Sequence, residues 1–269
     1  MLIFPKHIKG DTKMDKRIGA QYYTIRNFIK TIEDFDSSCK KIKDMGYKIV
    51  QISGTNLPAE PMKEILDKYE LECVLTHRKF DDFKEDINEV INYNKILGSK
   101  ICGLGMMPVM YYESKESVMQ FIKEVKPICD AIKKEGMYFA YHNHAAEFMK
   151  RDGKLIFDYL VEETDPEIFN FTVDAYWCHV GGVDTVKVIE KLGKRAMVLH
   201  YKDYKVNEET KKTAEMAEIG NGNLDWDLIT AVGEKVGSLY AVVEQDICPA
   251  DPFDSLKISY DYLATKGFI

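Results

Sequence analysis

Short apolar runs alternate with amphipathic stretches along almost the whole chain. In the amphipathic stretches, apolar residues recur at intervals of three and four, as at Ile32, Phe35, Cys39 and Ile42, which is the period of a helix with one buried face. Between these stretches, apolar runs predict eight strands. They cover residues 18–23, 47–52, 71–75, 101–104, 137–141, 169–173, 196–199 and 239–243.

The predicted helices carry start and stop signals. Thr31 with Asp34 resembles a capping box, and Asp251 followed by Pro252 is typical of the first turn of a closing helix. The residue after a helix often takes a positive φ, which glycine adopts without steric cost. Glycines stand at this point, directly before an apolar run, at positions 46, 98, 136, 193 and 237.

Strict alternation of strand and helix favours a parallel sheet, and eight such units most naturally close into a (β/α)8 TIM barrel. The rival is an open doubly wound sheet. The glycine-rich GxGxxG turn of that fold is absent after the first strand, where residues 21–26 read QYYTIR. We therefore predict an α/β protein with an irregular N-terminal arm over residues 1–16 and a single barrel domain over residues 17–269.

The composition indicates which cellular environment and which binding partners to expect. The chain of 269 residues has 37 basic and 44 acidic residues, a net charge of −7 that disfavours nucleic acid as a partner. No apolar run approaches the roughly 20 residues that cross a bilayer. The six cysteines form no CxxC pair, so we expect reduced, mostly buried thiols in a cytoplasmic protein. A homo-oligomer is left open.

Histidines and carboxylates follow five of the eight predicted strands. Active sites of parallel barrels lie at the carboxyl ends of the strands, which makes these residues candidates. One such residue alone is more often a loop cap or an ordinary hydrogen-bonding partner, so the inference depends on their convergence. The residues are His77 after the third strand, His142 and His144 after the fifth, Asp174 after the sixth, His200 after the seventh and Glu244 after the eighth.

Four of these residues predict a metal centre. His142, Asp174, His200 and Glu244 follow four consecutive strands, so their side chains can meet at one point of the barrel mouth. Two imidazoles and two carboxylates suit one divalent cation that accepts both nitrogen and oxygen ligands, such as Mn²⁺, Zn²⁺, Co²⁺, Fe²⁺ or Mg²⁺.

The same segments resemble a known family. The sequences YHNH at 141–144 with Glu147, VDAYW at 173–177, LHYKD at 199–203, EIGNG at 218–222 and VEQD at 243–246 are similar to those of the sugar phosphate isomerase/epimerase family, in the xylose-isomerase-like barrel superfamily. The resemblance covers nearly all of residues 17–269 and implies the same four metal ligands. One departure is His142, where related ketose epimerases carry a glutamate that pairs with the one matching Glu244.

The resemblance implies an isomerase or epimerase of a sugar or keto-sugar, which removes a proton next to a carbonyl through a metal-stabilised enediolate. The candidate catalytic residues are Glu244 as ligand and base, His144 as acid or base, Glu147 as a replacement second base and Lys202 as a contact to a substrate oxygen or, equally, a salt-bridge partner. The candidate substrate contacts are His77, Trp177, His179 and Glu218, the last in a long loop over residues 202–224 that is either a lid or a solvated insertion.

Three other functions remain open at this stage. A metal-dependent lyase, which dehydrates a keto-inositol or cleaves a 3-keto-glycoside by β-elimination, is favoured by His142, because elimination needs a base and a separate acid. DNA repair of the endonuclease IV type requires a further histidine ligand where Trp177 stands. The third of these alternatives is a barrel that binds a sugar without catalysing a reaction.

Overall fold

The computed structural model describes residues 14–212 and 214–269, in which eight strands form a closed barrel. Each strand is parallel to both neighbours, and the last strand pairs with the first. The predicted TIM barrel is therefore confirmed, whereas most of the predicted N-terminal arm lies outside the described residues. The barrel strands are β1 (Ile18–Gln21), β2 (Ile49–Ile52), β3 (Glu72–Arg78), β4 (Ile101–Leu104), β5 (Tyr138–His142), β6 (Phe169–Asp174), β7 (Ala196–Tyr201) and β8 (Tyr240–Val243).

Helices occupy every connection between the strands. The predicted capping box at Thr31 and Asp34 is present, and the five predicted helix-stop glycines all have positive φ. The connections after β3 and β6 contain two α-helices each, and the others contain one. The helices are α1 (Ile32–Met45), α2 (Ala59–Lys68), α3 (Phe80–Glu85), α4 (Ile87–Leu97), α5 (Lys115–Lys134), α6 (Ile156–Glu163), α7 (Ala175–Val180), α8 (Thr185–Leu192), α9 (Trp226–Val236) and α10 (Pro252–Thr265).

Several strands continue beyond their predicted apolar runs. Strand β3 reaches Arg78 rather than residue 75, and β7 reaches Tyr201 rather than residue 199. The backbone ladder continues there because a polar side chain facing the barrel mouth does not interrupt backbone pairing. Four of the candidate residues, His77, His142, Asp174 and His200, are consequently held on the last positions of strands, and Glu244 directly follows β8.

An apolar layer fills the barrel below its mouth. Side chains two positions apart on a strand point to the same side, so the residue two positions before each inward-facing polar residue also faces inward. In five such pairs the preceding residue belongs to one buried apolar cluster, whereas the polar Thr172 precedes Asp174. The pairs, apolar residue first, are Ile49 and Gln51, Leu75 and His77, Ala140 and His142, Val198 and His200, and Val242 and Glu244.

The long connection after β7 is folded rather than open. Residues Asp203–Val206 and Ala214–Ala217 form an antiparallel hairpin beside the barrel. The fully buried carboxylate of Asp203 accepts hydrogen bonds from the backbone N–H groups of Gly220, Gly222 and Leu224 and from the Trp226 indole, at 2.7 to 3.2 Å. A side chain at position 222 would collide with Asp203, which explains the glycine there.

The six cysteines are free and mostly buried, as predicted. Five of the six cysteines are buried, the sixth is half-buried, and none is in a disulfide. Within the described ranges, no helix is both long and apolar enough to span a bilayer.

We predict that Asp203→Ala destabilises the fold by about 3 kcal/mol, because several buried N–H donors lose a charged acceptor at once. Urea unfolding measures this change. Asp227→Ala, which removes an exposed partner of Lys266, serves as the control and should change stability by less than about 0.5 kcal/mol. Equal effects of the two substitutions would contradict the assigned role of Asp203.

Candidate active site

Four side chains from β5 to β8 converge at the carboxyl end of the barrel. One donor atom from each of them lies within 4.8 Å of the others, and all four residues are buried. Strand pairing produces this convergence, because Asp174 lies directly opposite His200 in the parallel register of β6 and β7. The four residues are His142, Asp174, His200 and Glu244.

One ring nitrogen of His142 donates to a backbone carbonyl, and the other faces the carboxylate of Asp174. Its Nδ1 lies 3.0 Å from the carbonyl oxygen of Gly105, and its Nε2 lies 3.2 Å from Oδ2 of Asp174. A carbonyl oxygen only accepts, so Nδ1 carries a proton and donates it there. Nε2 is thereby turned toward the cluster.

His200 is oriented in the opposite sense. Its Nε2–H donates to Oε1 of Gln51 at 2.8 Å, and its Nδ1 lies 2.9 Å from Oε2 of Glu244 and 3.8 Å from Oδ2 of Asp174. Burial alone would lower the pKa of His200, but the carboxylates of Glu244 and Asp174 outweigh it and raise this pKa to about 9. The ring therefore binds a second proton, on Nδ1, in neutral solution. A cation bound by Nδ1 would displace that proton.

Lys202 is a buried cation among three carboxylates. Its Nζ lies 2.7 Å from Asp246, 3.4 Å from Glu244 and 3.6 Å from Asp174, and its side chain is 1% exposed. Burial by itself would lower the pKa of Lys202, but these carboxylates raise it, so the group stays an ammonium. A salt bridge from Lys202 to Asp203 or to a neighbouring carboxylate is one of its two predicted roles; the bridge is present, but with Asp246, Glu244 and Asp174 rather than with Asp203.

The four converging residues fit a divalent cation on three counts. They offer two imidazole nitrogens and two carboxylates, a donor set that first-row divalent metals accept. In its neutral form, with the proton on Nε2, His200 leaves the lone pair of the buried Nδ1 without a hydrogen-bond donor and free to bind a cation. The three carboxylates around the single ammonium also leave uncompensated negative charge in a buried site, which a cation would stabilise.

Unpartnered polar atoms surround this centre. Every buried side-chain nitrogen or oxygen without a hydrogen-bond partner among the described residues belongs to a barrel strand or to the segment directly after one. Such atoms are costly in a folded protein unless something binds them, so their concentration marks a ligand site. They are Gln21 Nε2, Gln51 Nε2, His77 Nε2, His144 Nδ1, Thr172 Oγ1, Trp177 Nε1, His200 Nδ1, Gln245 Oε1 and Asp246 Oδ1.

Three further predicted residues lie against the cluster. The ring of His77 is 5.1 Å from that of His142 and 5.5 Å from that of His200, measured between centroids. The ring of His144 is 4.6 Å from His142 and 5.3 Å from Trp177. His77 therefore lies inside the barrel mouth, where β3 places it beside the cluster.

Three predicted residues lie elsewhere. Glu147 is fully buried and accepts hydrogen bonds from the hydroxyls of Tyr112 and Tyr141 and from the backbone N–H of His144, so both of its oxygens are engaged away from the cluster. This placement argues against Glu147 as a second base. Glu218 accepts from Ser255 and Asn221, and His179 is exposed against Tyr204.

Sequence reasoning missed Gln51, Gly105 and Asp246. The apolar residue two positions before Gln51 is the same signal that precedes His142 and His200, and it could have identified Gln51. Asp246 is the last residue of the VEQD segment at 243–246, but it lies three residues beyond the end of β8. Gly105 acts through its backbone carbonyl, for which the side-chain pattern holds no signal.

Known proteins share this fold. An inosose dehydratase from Mesomycoplasma hyopneumoniae (strain 7448) is 23% identical over 258 residues, covering 90% of this chain and 72% of that protein. The solved structure of a sugar phosphate isomerase/epimerase from Parabacteroides distasonis superposes with a TM-score of 0.79 at 19% identity, over 100% of this chain and 99% of the other. A D-allulose 3-epimerase from Methylomonas sp., solved in complex with D-allulose, gives 0.69 at 12% identity, over 97% and 98%.

The family model described as xylose isomerase-like TIM barrel matches residues 39–246, which include all four converging residues. This match spans more than half of the chain. The protein therefore belongs to the xylose isomerase-like TIM barrel family.

Proposed function

We propose that the protein is a divalent-metal-dependent isomerase or epimerase of a sugar or keto-sugar. The observation that carries the proposal is the convergence of His142, Asp174, His200 and Glu244, with both imidazoles oriented by groups outside the cluster. Relatives named as sugar isomerases, epimerases and dehydratases support a sugar-like substrate.

In this proposal the four residues hold one cation, and the surrounding groups handle protons. When bound, the cation supplies Lewis-acid polarisation of adjacent substrate oxygens. Glu244 or His144 takes the proton from the carbon next to the carbonyl, and the electron pair of that C–H bond moves into a carbon–carbon double bond as the carbonyl oxygen becomes anionic. Return of a proton to the other face of the same carbon re-forms the carbonyl and gives the epimer. Delivery of the proton to the former carbonyl carbon gives the isomer, provided that the hydroxyl on the first carbon passes its proton to the anionic oxygen and becomes the new carbonyl.

Lys202 stabilises the oxygen that becomes negative in this scheme. Its ammonium is buried, is already placed by Asp246 and needs no reorganisation during the reaction. The apolar layer below the mouth keeps water from that side, which strengthens the electrostatic effect of the ammonium.

Dehydration is a second candidate, favoured by the distribution of acids and bases. Glu147 is engaged elsewhere, so it does not supply the second base that would pair with Glu244. A base and a separate acid, here Glu244 with the ammonium of Lys202 or the imidazole of His144, suit removal of a proton from one carbon and departure of a hydroxyl from the next as water.

We predict that binding of Mn²⁺ near pH 7.5 releases about one proton per ion, because the ion displaces the second proton of His200, whose pKa is raised to about 9. Affinity should rise with pH up to about 9 and level off above it. Titration calorimetry in buffers of different ionisation enthalpy measures both effects. Binding without proton release, at an affinity that is the same at pH 6.5 and pH 9, would contradict the assignment.

We predict that Gln51→Leu lowers the affinity for Mn²⁺ by about tenfold or more, because Nε2–H of His200 loses the acceptor that orients its ring. Gln120→Leu, which removes an exposed glutamine from α5, is the matched control and should bind Mn²⁺ as the wild type does. If both variants match the wild type, Gln51 has no part in orienting the ligand.

The reaction itself is tested in D₂O. The Mn²⁺-loaded protein, offered a panel of ketoses and keto-inositols that includes D-allulose, should place deuterium on the carbon next to the carbonyl, as read by NMR. A dehydrated product would favour the second candidate. Glu244→Gln should slow exchange by at least about 100-fold, whereas Glu162→Gln, which breaks an exposed salt bridge to Lys154, should not slow it. Absence of metal-dependent exchange across the panel would overturn both reactions.

A further inference from the structure

Two unpartnered atoms, one a hydrogen-bond donor and the other an acceptor, lie beside the four converging residues. Nε1 of Trp177 and Oδ1 of Asp246 are both buried, and neither has a hydrogen-bond partner. Lys202 connects the two residues, because its Nζ lies 5.0 Å from the centre of the Trp177 ring and 2.7 Å from Oδ2 of Asp246. We call this pair the Trp177–Asp246 subsite.

Both residues of the subsite are fixed in place. The backbone N–H of Trp177 donates to Oδ1 of Asp174 at 2.9 Å, and its ring packs against His144. Asp246 is anchored through its side chain by Lys202 and through its carbonyl oxygen by Arg26 at 3.0 Å. The two free atoms are therefore presented in one geometry before a ligand arrives, which lowers the entropic cost of binding.

The chemistry of the two atoms selects one kind of group. An indole N–H only donates and a carboxylate oxygen only accepts, whereas a hydroxyl does both. A phosphate or carboxylate group brings acceptor oxygens and negative charge, which Oδ1 of Asp246 repels. Lys202 does not reverse this preference, because it is shared among Asp246, Asp174 and Glu244. Arg26 does not reverse it either, because its terminal nitrogens donate to the carbonyls of Tyr23 and Asp246. The charge of a bound divalent cation would be offset by the carboxylates of Asp174 and Glu244.

We propose that Trp177 and Asp246 are specificity-determining residues that bind hydroxyl groups of an uncharged polyol and reject a phosphate or carboxylate at that position. The inference rests on the proposed function, because it names the substrate class of the same site. It predicts that the substrate is an uncharged sugar or polyol rather than a sugar phosphate.

The test measures binding rather than turnover. The Mn²⁺-loaded full chain is titrated calorimetrically with D-fructose and myo-inositol and with D-fructose 6-phosphate and myo-inositol 1-phosphate. We expect each neutral compound to bind at least about tenfold more tightly than its phosphate ester. Tighter or equal binding of both phosphate esters would overturn the proposal, even if isotope exchange in D₂O is observed.

Variants assign the selectivity to the two residues. Asp246→Asn should reduce the preference for the neutral compound by about tenfold, because the carboxylate that repels the phosphate is gone. Trp177→Phe keeps the ring but loses the N–H, and it should weaken binding of the neutral compound by about fivefold. Asp261→Asn, which lies in an exposed ion pair on α10, is the matched control and should preserve the wild-type preference.

The outcomes separate this inference from the proposed function. Selective binding of neutral polyols without any isotope exchange would support the subsite and contradict the proposed reaction. If Asp246→Asn fails to fold, as judged by circular dichroism, Trp177→Phe decides alone: about fivefold weaker binding supports the subsite, and unchanged binding overturns it.

Discussion

The buried negative charge at the barrel mouth is the constraint on which the rest of the site depends. Asp174 and Glu244 both approach Nδ1 of His200, and Asp246 lies close behind Lys202. Carboxylates in such a place are stable only beside positive charge, so the lysine, the imidazoles and a bound cation are parts of one electrostatic arrangement. Removing Lys202, for example, would raise the pKa of Asp174 and of Glu244, because its positive charge lowers both.

The barrel makes this concentration of charge tolerable. Strand alternation places an apolar side chain two positions below Gln51, His77, His142, His200 and Glu244, so much of the charged layer rests on an apolar layer. Three of the four proposed ligands lie on strands, and the fourth directly follows one. The Asp203-centred turn after β7 has a related role, since it folds a long connection compactly beside the site.

Much of this could be predicted from the sequence, because the signals were local and repeated. The eight apolar runs, the five helix-stop glycines and the polar residues at strand ends all follow from periodicity and backbone geometry, and the structure brings His142, Asp174, His200 and Glu244 together as expected. What escaped prediction depends on tertiary contacts. Pairing with two tyrosine hydroxyls turns Glu147 away, and the carbonyl of Gly105 orients His142 without any side-chain signal.

Anomalous diffraction from crystals of the Mn²⁺-loaded protein tests the central claim most directly. The account predicts one strong peak at the carboxyl end of the barrel, at bonding distance of about 2.0–2.3 Å from the donor atoms of His142, Asp174, His200 and Glu244. A peak at another place, or no peak in crystals grown with excess Mn²⁺, would contradict it.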